Sequence, residues 1–287
     1  GDGTWSCHIH TNDIGGAVEA SLDVGGRPSR IQVTDLFEEA HTGPDADRVG
    51  AATAADTVSP GGNAPAARVT CGAVAVASGP GLVDLFRSSG VAQVVTGGQT
   101  ANPSTAELLA AVEAVDADEV VILPNNKNVI AVADQVDALS TRTVRVVPTR
   151  TMPEGLSALV VLDPRLGADE NCARMTEAAE AVVTGELTRA VRDSASPVGP
   201  VAEGAWIGLV RGDGIVAVGA EPTAVALDLL ATLLDGDREI VTVVTGSDAD
   251  PSWTEQILAW LDDEHADIEV DVHDGGQPLY PFLFGAE

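Results

Sequence analysis

Lysine occurs once in this 287-residue chain, tyrosine once, and aromatic residues make up only 3% of it. Any core must therefore be aliphatic, and a hydrophobic content of 45% is ample for one. Basic residues number 15 against 44 acidic ones, a formal net charge of −29. So acidic a surface repels nucleic-acid phosphates and anionic membranes, which excludes both as general partners. Self-repulsion follows as well, so a melting series in added salt is expected to show stabilisation. Cysteine is sparse: Cys7, Cys71 and Cys172 lie far apart without CxxC spacing. That pattern reads as reduced thiols and a cytoplasmic protein, with Cys71 in the core of an apolar strand. No apolar run reaches the roughly 18 residues of a membrane span, and no basic leader precedes the opening Gly1-Asp2-Gly3. HExxH, GxSxG, Walker A, paired Cys/His zinc spacing and the EF-hand loop are all missing.

What is present divides into three parts. Residues 1–41 read as a small α+β remnant of a truncated domain. In it Thr4–His10 alternates as a strand, and helices run from Asn12 or Asp13 to Asp23 and from Thr34 to His41 around a strand Ser29–Val33. With no initiator methionine and an opening almost inside a strand, the chain reads as a fragment. Residues 42–68 are rich in Ala, Gly, Pro, Asp and Thr without apolar periodicity, the composition of a flexible linker. Residues 69–287 read as a C-terminal α/β domain with lobes at about 69–166 and 185–287. Its first lobe alternates strictly: strands Val69–Ala77, Val91–Val95, Glu119–Leu123 and Thr143–Val147, with helices Leu82–Ser89, Thr105–Val115 and Asn128–Leu139 between them. Such alternation predicts a doubly wound parallel sheet. A second α/β lobe follows helices Pro153–Val161 and Asp169–Thr184. Its expected strands are Leu187–Val191, Ala205–Val210, Ile215–Val218, Glu239–Val244 and Ile268–Val272, its helices Pro222–Leu234 and Pro251–Asp262. Asp274–Pro281 reads as loop.

Two loops carry unusual chemistry. Gly97-Gly98-Gln99-Thr100-Ala101-Asn102-Pro103-Ser104-Thr105 and Leu123-Pro124-Asn125-Asn126-Lys127-Asn128 each follow a strand and open a helix. Both are expected at the carboxyl rim of the sheet, where open α/β sheets bind ligands. Gly97 and Gly98 allow tight turning, and Gln99, Asn102, Asn125 and Asn126 supply amides. Thr100 and Ser104 add hydroxyls, and the sole lysine, Lys127, adds a compact ammonium. Arg150, in the turn after the fourth strand, comes to the same edge. One such residue can simply cap a helix; a set of them predicts a partner- or ligand-binding surface. Ser78-Gly79-Pro80-Gly81 resembles an anion-binding turn, but without the full GxGxxG or a P-loop lysine a tight βα turn is the favoured reading. The metal candidate is His8-Ile9-His10: strand alternation puts both imidazoles on one face, about 7 Å apart, able to share zinc or another divalent ion once further ligands are found. A metal-free pair of solvated histidines is the competing reading.

The stretches His8–Asp13, Gly97–Thr105, Ile122–Asn128 and Gly275-Gly276-Gln277-Pro278-Leu279-Tyr280-Pro281 resemble the A component of the fatty acid kinase family, also described as dihydroxyacetone-kinase-like. The resemblance runs nearly end to end in matching order and covers the end of the family's middle domain and its whole C-terminal domain. It implies an N-terminal domain, outside this chain, that binds ATP and magnesium, and a middle domain that forms a homodimer. It also implies a C-terminal domain that docks a DegV-type fatty-acid-binding partner, the kinase converting the bound fatty acid to an acyl phosphate for phospholipid synthesis. By the same resemblance His8 and His10 join an upstream cysteine at a metal site. No catalytic residue is assigned within the chain, and the fragment is expected not to be catalytic alone. Two alternatives stand beside this: a phosphatase or hydrolase acting on a small phosphorylated metabolite, for which no nucleophile beside a base is found, and a dihydroxyacetone-kinase-like triose kinase.

Overall fold

The computed structural model describes residues 69–98 and 102–287. The expected remnant at 1–41 and linker at 42–68 lie outside the described residues. The first lobe opens with β1 (Cys71–Ala77), seven consecutive buried residues, as a central parallel strand covered on both faces should be. Helix α1 (Pro80–Ser88) follows, then β2 (Gln93–Thr96), α2 (Thr105–Ala114), β3 (Glu119–Leu123), α3 (Lys127–Ala133) and β4 (Thr143–Val146). The strands form one all-parallel sheet in the order β2-β1-β3-β4. On one face Val74, Val76, Val120 and Ile122 pack with Leu108 and Val112 of α2 and Val129 of α3. On the other Ala73, Ala75, Val121 and Leu123 meet Leu82 and Phe86 of α1.

Helix α3 stops at Ala133, short of the expected Leu139. Beyond it the Val136 and Leu139 amides bond carbonyls three residues back, so the chain tightens into turns. Asp137 then accepts from the Val144 amide at 2.9 Å, drawing this stretch toward β4. Two more helices, α4 (Met152–Val160) and α5 (Ala168–Ala181), complete the layer on the α1 side of the sheet.

The second lobe comprises β5 (Val183–Arg189), a small hairpin β6 (Ser194–Ser196) and β7 (Gly199–Val201), β8 (Trp206–Val210), β9 (Gly214–Gly219), α6 (Pro222–Leu233), β10 (Ile240–Thr245), α7 (Pro251–Glu264), β11 (Glu269–Asp274) and β12 (Phe282–Ala286). Its six-stranded mixed sheet runs β11-β10-β12-β5-β8-β9, parallel only between β10 and β11. Two expectations are corrected here. The stretch assigned to the end of a helix through Thr184 is already strand, with β5 beginning at Val183. The last residues also form β12, antiparallel to both β10 and β5. Phe282 and Phe284 point to one face, their rings stacked at 5.7 Å among the side chains of α6 and α7. Leu283 points to the opposite face and joins the core of the first lobe. The two lobes are thus welded by a single cluster that also takes in Val244 from β10 and Met152 from α4.

Candidate functional site

In the four-stranded sheet the chain leaves β1 for β2 on one side and reaches β3 on the other. The loops after β1 and β3 therefore diverge and open a crevice at the carboxyl edge of the strands. The segment from β11 to β12 enters this crevice. The Leu82 amide at the start of α1 donates to Gly275 O at 3.1 Å. A Cβ on Gly81 would collide with the Asp274 carbonyl, so only glycine admits the segment there. The Ser78–Gly81 turn is accordingly a docking seat for the chain's own tail, not an anion cradle, and its open amide is satisfied by backbone.

Two adjacent asparagines end β3, each 3% exposed. Asn125 adopts a left-handed backbone, φ 52°, which asparagine tolerates better than most residues. Its Nδ2 donates to Val76 O at 3.0 Å; its amide donates to Thr149 Oγ1 at 3.0 Å, and that hydroxyl donates back to Asn125 Oδ1 at 2.8 Å. The residue thereby laces together the ends of β1, β3 and β4. Gly155 of α4 must be glycine for the same reason, since a Cβ there would strike Asn125 Oδ1. Asn126 behaves differently: its Oδ1 caps α3 by accepting from the Asn128 amide at 2.9 Å, and its Nδ2 has no acceptor among the described residues. Asn126 lines a cleft between the lobes, together with Ser78, Gly98 and Arg150 from the first and Glu186 and Tyr280 from the second.

The electrostatics of this cleft come from both sides. Glu154, almost fully buried in the first turn of α4, accepts the Arg150 amide at Oε2 (2.7 Å) and pairs through Oε1 with Arg211 Nε at 3.0 Å. Arg211 belongs to the turn after β8, so this ion pair bridges the lobes. Glu186 faces the first lobe from β5, opposite Leu283 in register. Burial raises its pKa; the charge of Lys127 opposes the rise and that of Glu154 adds to it. The Tyr280 hydroxyl is pushed up to about 12 by burial and by the nearby Glu186 charge, which keeps it a donor. Gln277, also buried, donates through Nε2 to Val244 O and Tyr280 O, while its Oε1 has no partner among the described residues. Beside it Leu279 holds a left-handed backbone, φ 72°, with its side chain 48% exposed and its carbonyl accepting from Thr188 Oγ1 at 2.8 Å.

Of the residues expected from sequence to bind, the structure brings Gly98, Asn126 and Arg150 to one cleft, with Asn125 in its wall and Lys127 exposed at its side. Gly97 is buried, its amide donating to Ala77 O. Ser104 is a capping-box residue: Oγ accepts from the Glu107 amide at 3.2 Å and its own amide donates to Glu107 Oε2 at 2.8 Å. Asn102 is exposed beside it. Gln99, Thr100, His8 and His10 lie outside the described residues. Among the described residues no group of three or more His, Cys, Asp and Glu side chains is placed to hold a metal ion, and no helix is long and apolar enough to cross a membrane. Cys71 is a core thiol whose pKa burial pushes up to about 11. Sequence reasoning missed Glu186, Glu154, Gln277 and Tyr280. Glu186 sits in a V-T-G-E-L-T-R alternation whose polar side reads as solvent-facing, and nothing local says that another lobe covers it.

A family model for the C-terminal part of FakA-like fatty acid kinases matches residues 72–287. The protein YloV of Bacillus subtilis is 40% identical over 223 residues, which is 78% of this chain and 40% of that protein. An uncharacterized Staphylococcus aureus protein is 35% identical over 214 residues, 75% of this chain and 39% of that protein. The chain thus spans about two fifths of the length of these curated relatives. Among solved structures, a DegV family protein from Corynebacterium glutamicum superposes with a TM-score of 0.55 at 13% identity, covering 76% of this chain and 97% of that one. The dihydroxyacetone kinase of C. freundii, in complex with AMP-PNP and magnesium, gives 0.52 at 14% identity, covering 76% and 48%. The Streptococcus pneumoniae fatty acid kinase B3 protein, loaded with linoleic acid, gives 0.53 at 9%, covering 76% and 99%. At these identities the structural likeness establishes the fold.

Proposed function

The chain belongs to the family of FakA-like C-terminal domains, and on that premise we propose that it is the docking part of a fatty acid kinase. A DegV-type partner would bring the fatty acid to it, and a segment of the longer protein would transfer phosphate from ATP to the acid. One observation favours docking over carriage of the acid by this chain itself. The space between its lobes is taken up by a continuous core of Phe86, Met152, Val244 and Leu283. The cleft left at the mouth has a mixed lining, with Ser78, Asn126, Arg150 and Glu186 beside Met152 and Leu279. A long acyl chain needs a deep apolar cavity, whereas a mixed rim flanked by Arg150 and Lys127 suits recognition of a partner at its surface.

Calorimetric titration of the full 287-residue chain with a purified, oleate-loaded DegV family protein tests this reading. Saturable binding with a dissociation constant of about 1 μM, weakened by salt and by Lys127→Ala, is the expected outcome. Absence of binding at about 100 μM partner overturns it.

A further inference from the structure

We propose that the cleft between the lobes binds a small oxyanion, a carboxylate or a phosphate group, held by the Arg150 guanidinium, the Asn126 carboxamide and the Tyr280 hydroxyl. The three residues come from different elements, the turn after β4, the end of β3 and the segment before β12, yet line one cleft. Asn126 is 3% exposed and lines the cleft; its Oδ1 is taken by the α3 cap, which leaves its Nδ2, unpartnered among the described residues, to donate to a ligand there. Arg150 is anchored by its backbone to Glu154, but its guanidinium has no carboxylate within pairing distance among the described residues. Arg211, by contrast, is taken up by Glu154. Tyr280 stays a hydrogen-bond donor across the neutral range. Leu279, next to it, holds a sparsely populated backbone, and such strain gathers where a fold is shaped around a ligand.

The charged and titratable groups around the cleft, among the described residues, are Lys127 on α3, Arg150 before α4, Glu154 on α4, Glu186 on β5, Arg211 after β8 and Tyr280. With Glu154 neutralised by Arg211, Glu186 is the one negative charge of this set that an incoming anion must meet. Binding therefore draws a proton onto Glu186, and affinity rises as pH falls. The proposal rests on the same rim as the docking reading but concerns a ligand that the chain binds by itself.

Titrating the full chain alone with acetate in one arm and inorganic phosphate in the other, followed by amide NMR at low salt, tests it and separates the two anion classes. At least one arm saturates, with a dissociation constant on the order of 1 mM. Asn126→Asp keeps the helix cap but replaces the donor with a negative charge, and it weakens binding at least about tenfold without lowering the melting temperature. Arg150→Ala weakens it by a similar factor, while Glu186→Gln strengthens it roughly three- to tenfold and flattens its pH dependence. Failure of both anions to saturate by about 50 mM, or unchanged affinity in Asn126→Asp and Arg150→Ala, overturns the proposal. Because no partner protein is present, that failure leaves the docking measurement independent.

Discussion

The two sheets of this molecule cover themselves differently. The four-stranded sheet is enclosed by helices of its own lobe, α2 and α3 on one face and α1, α4 and α5 on the other. The six-stranded sheet has α6 and α7 on one face; on the other, its β6–β7 hairpin packs over β8 and β9 through Val201 and Ile207, and the part around β5, β10 and β12 faces the first lobe. On that second face Leu283 is apolar, but Thr184 and Glu186 of β5 are polar, Thr184 buried and Glu186 half-buried at the cleft beside a different lobe. A sheet wrapped in its own helices has little reason to bury a carboxylate, whereas a sheet roofed by a second lobe can hold one in a cleft and shift its pKa.

The largest expected effect lies in the self-covered half of the second sheet. Phe284→Ala removes a fully buried ring stacked on Phe282 and is expected to cost about 3–5 kcal/mol in urea denaturation. A loss below about 1 kcal/mol would mean that β12 is not a core strand. Next comes the seam. Arg211→Ala leaves Glu154 buried without its cation, and about 2–3 kcal/mol should be lost, less than for a wholly buried pair because Arg211 is partly exposed. Arg211 and Glu154 replaced together by methionine and glutamine should recover part of that loss; a double variant as unstable as Arg211→Ala would deny the pairing.

A smaller contrast separates the two asparagines. Asn125→Ala strips the lacing between three strand ends and is expected to cost about 2 kcal/mol, while Asn126→Asp leaves stability within about 0.5 kcal/mol because aspartate caps equally well. The smallest effect is on pH dependence. The folded pKa of Glu186 lies above its ordinary 4.5, so the folded state keeps a proton that the unfolded chain has released. Stability then falls as pH rises from about 4.5 through the folded value. Glu186→Gln should abolish that fall and make the protein more stable than its parent near neutrality, with little difference in acid. Tyr280, raised from 10.0 to about 12, produces the same loss at the alkaline end, and Tyr280→Phe removes it.

The first lobe was legible because each of its strands is a short apolar run between turn residues; Glu119–Leu123 coincides with the expected span. The rim position of Asn125 and Asn126 followed from that alternation alone. The cleft was only half legible, since its other wall comes from residues more than fifty positions later, and strand periodicity cannot say what lies above a polar face. In β5 the expected helix ran through Thr184, which hid Glu186 altogether. The segment Gly275–Pro281 is loop, as its glycines and prolines predict, whereas the five residues Phe282–Ala286 behind it are too short a run at the chain end to signal a central strand by themselves. At Ser104 the sequence allows either a cap or a binding hydroxyl, and the structure shows the cap formed with Glu107.

The placement of β12 bears on how the molecule is made. Its partners β5 and β10 both leave the ribosome first, and β12 emerges about 90 residues after β5 ends. At about 5–20 residues per second, β5 waits about 5–20 s with one backbone edge open. During biosynthesis the second lobe is therefore an incomplete sheet exposed to mispairing, and chaperone dependence should be greatest in that interval.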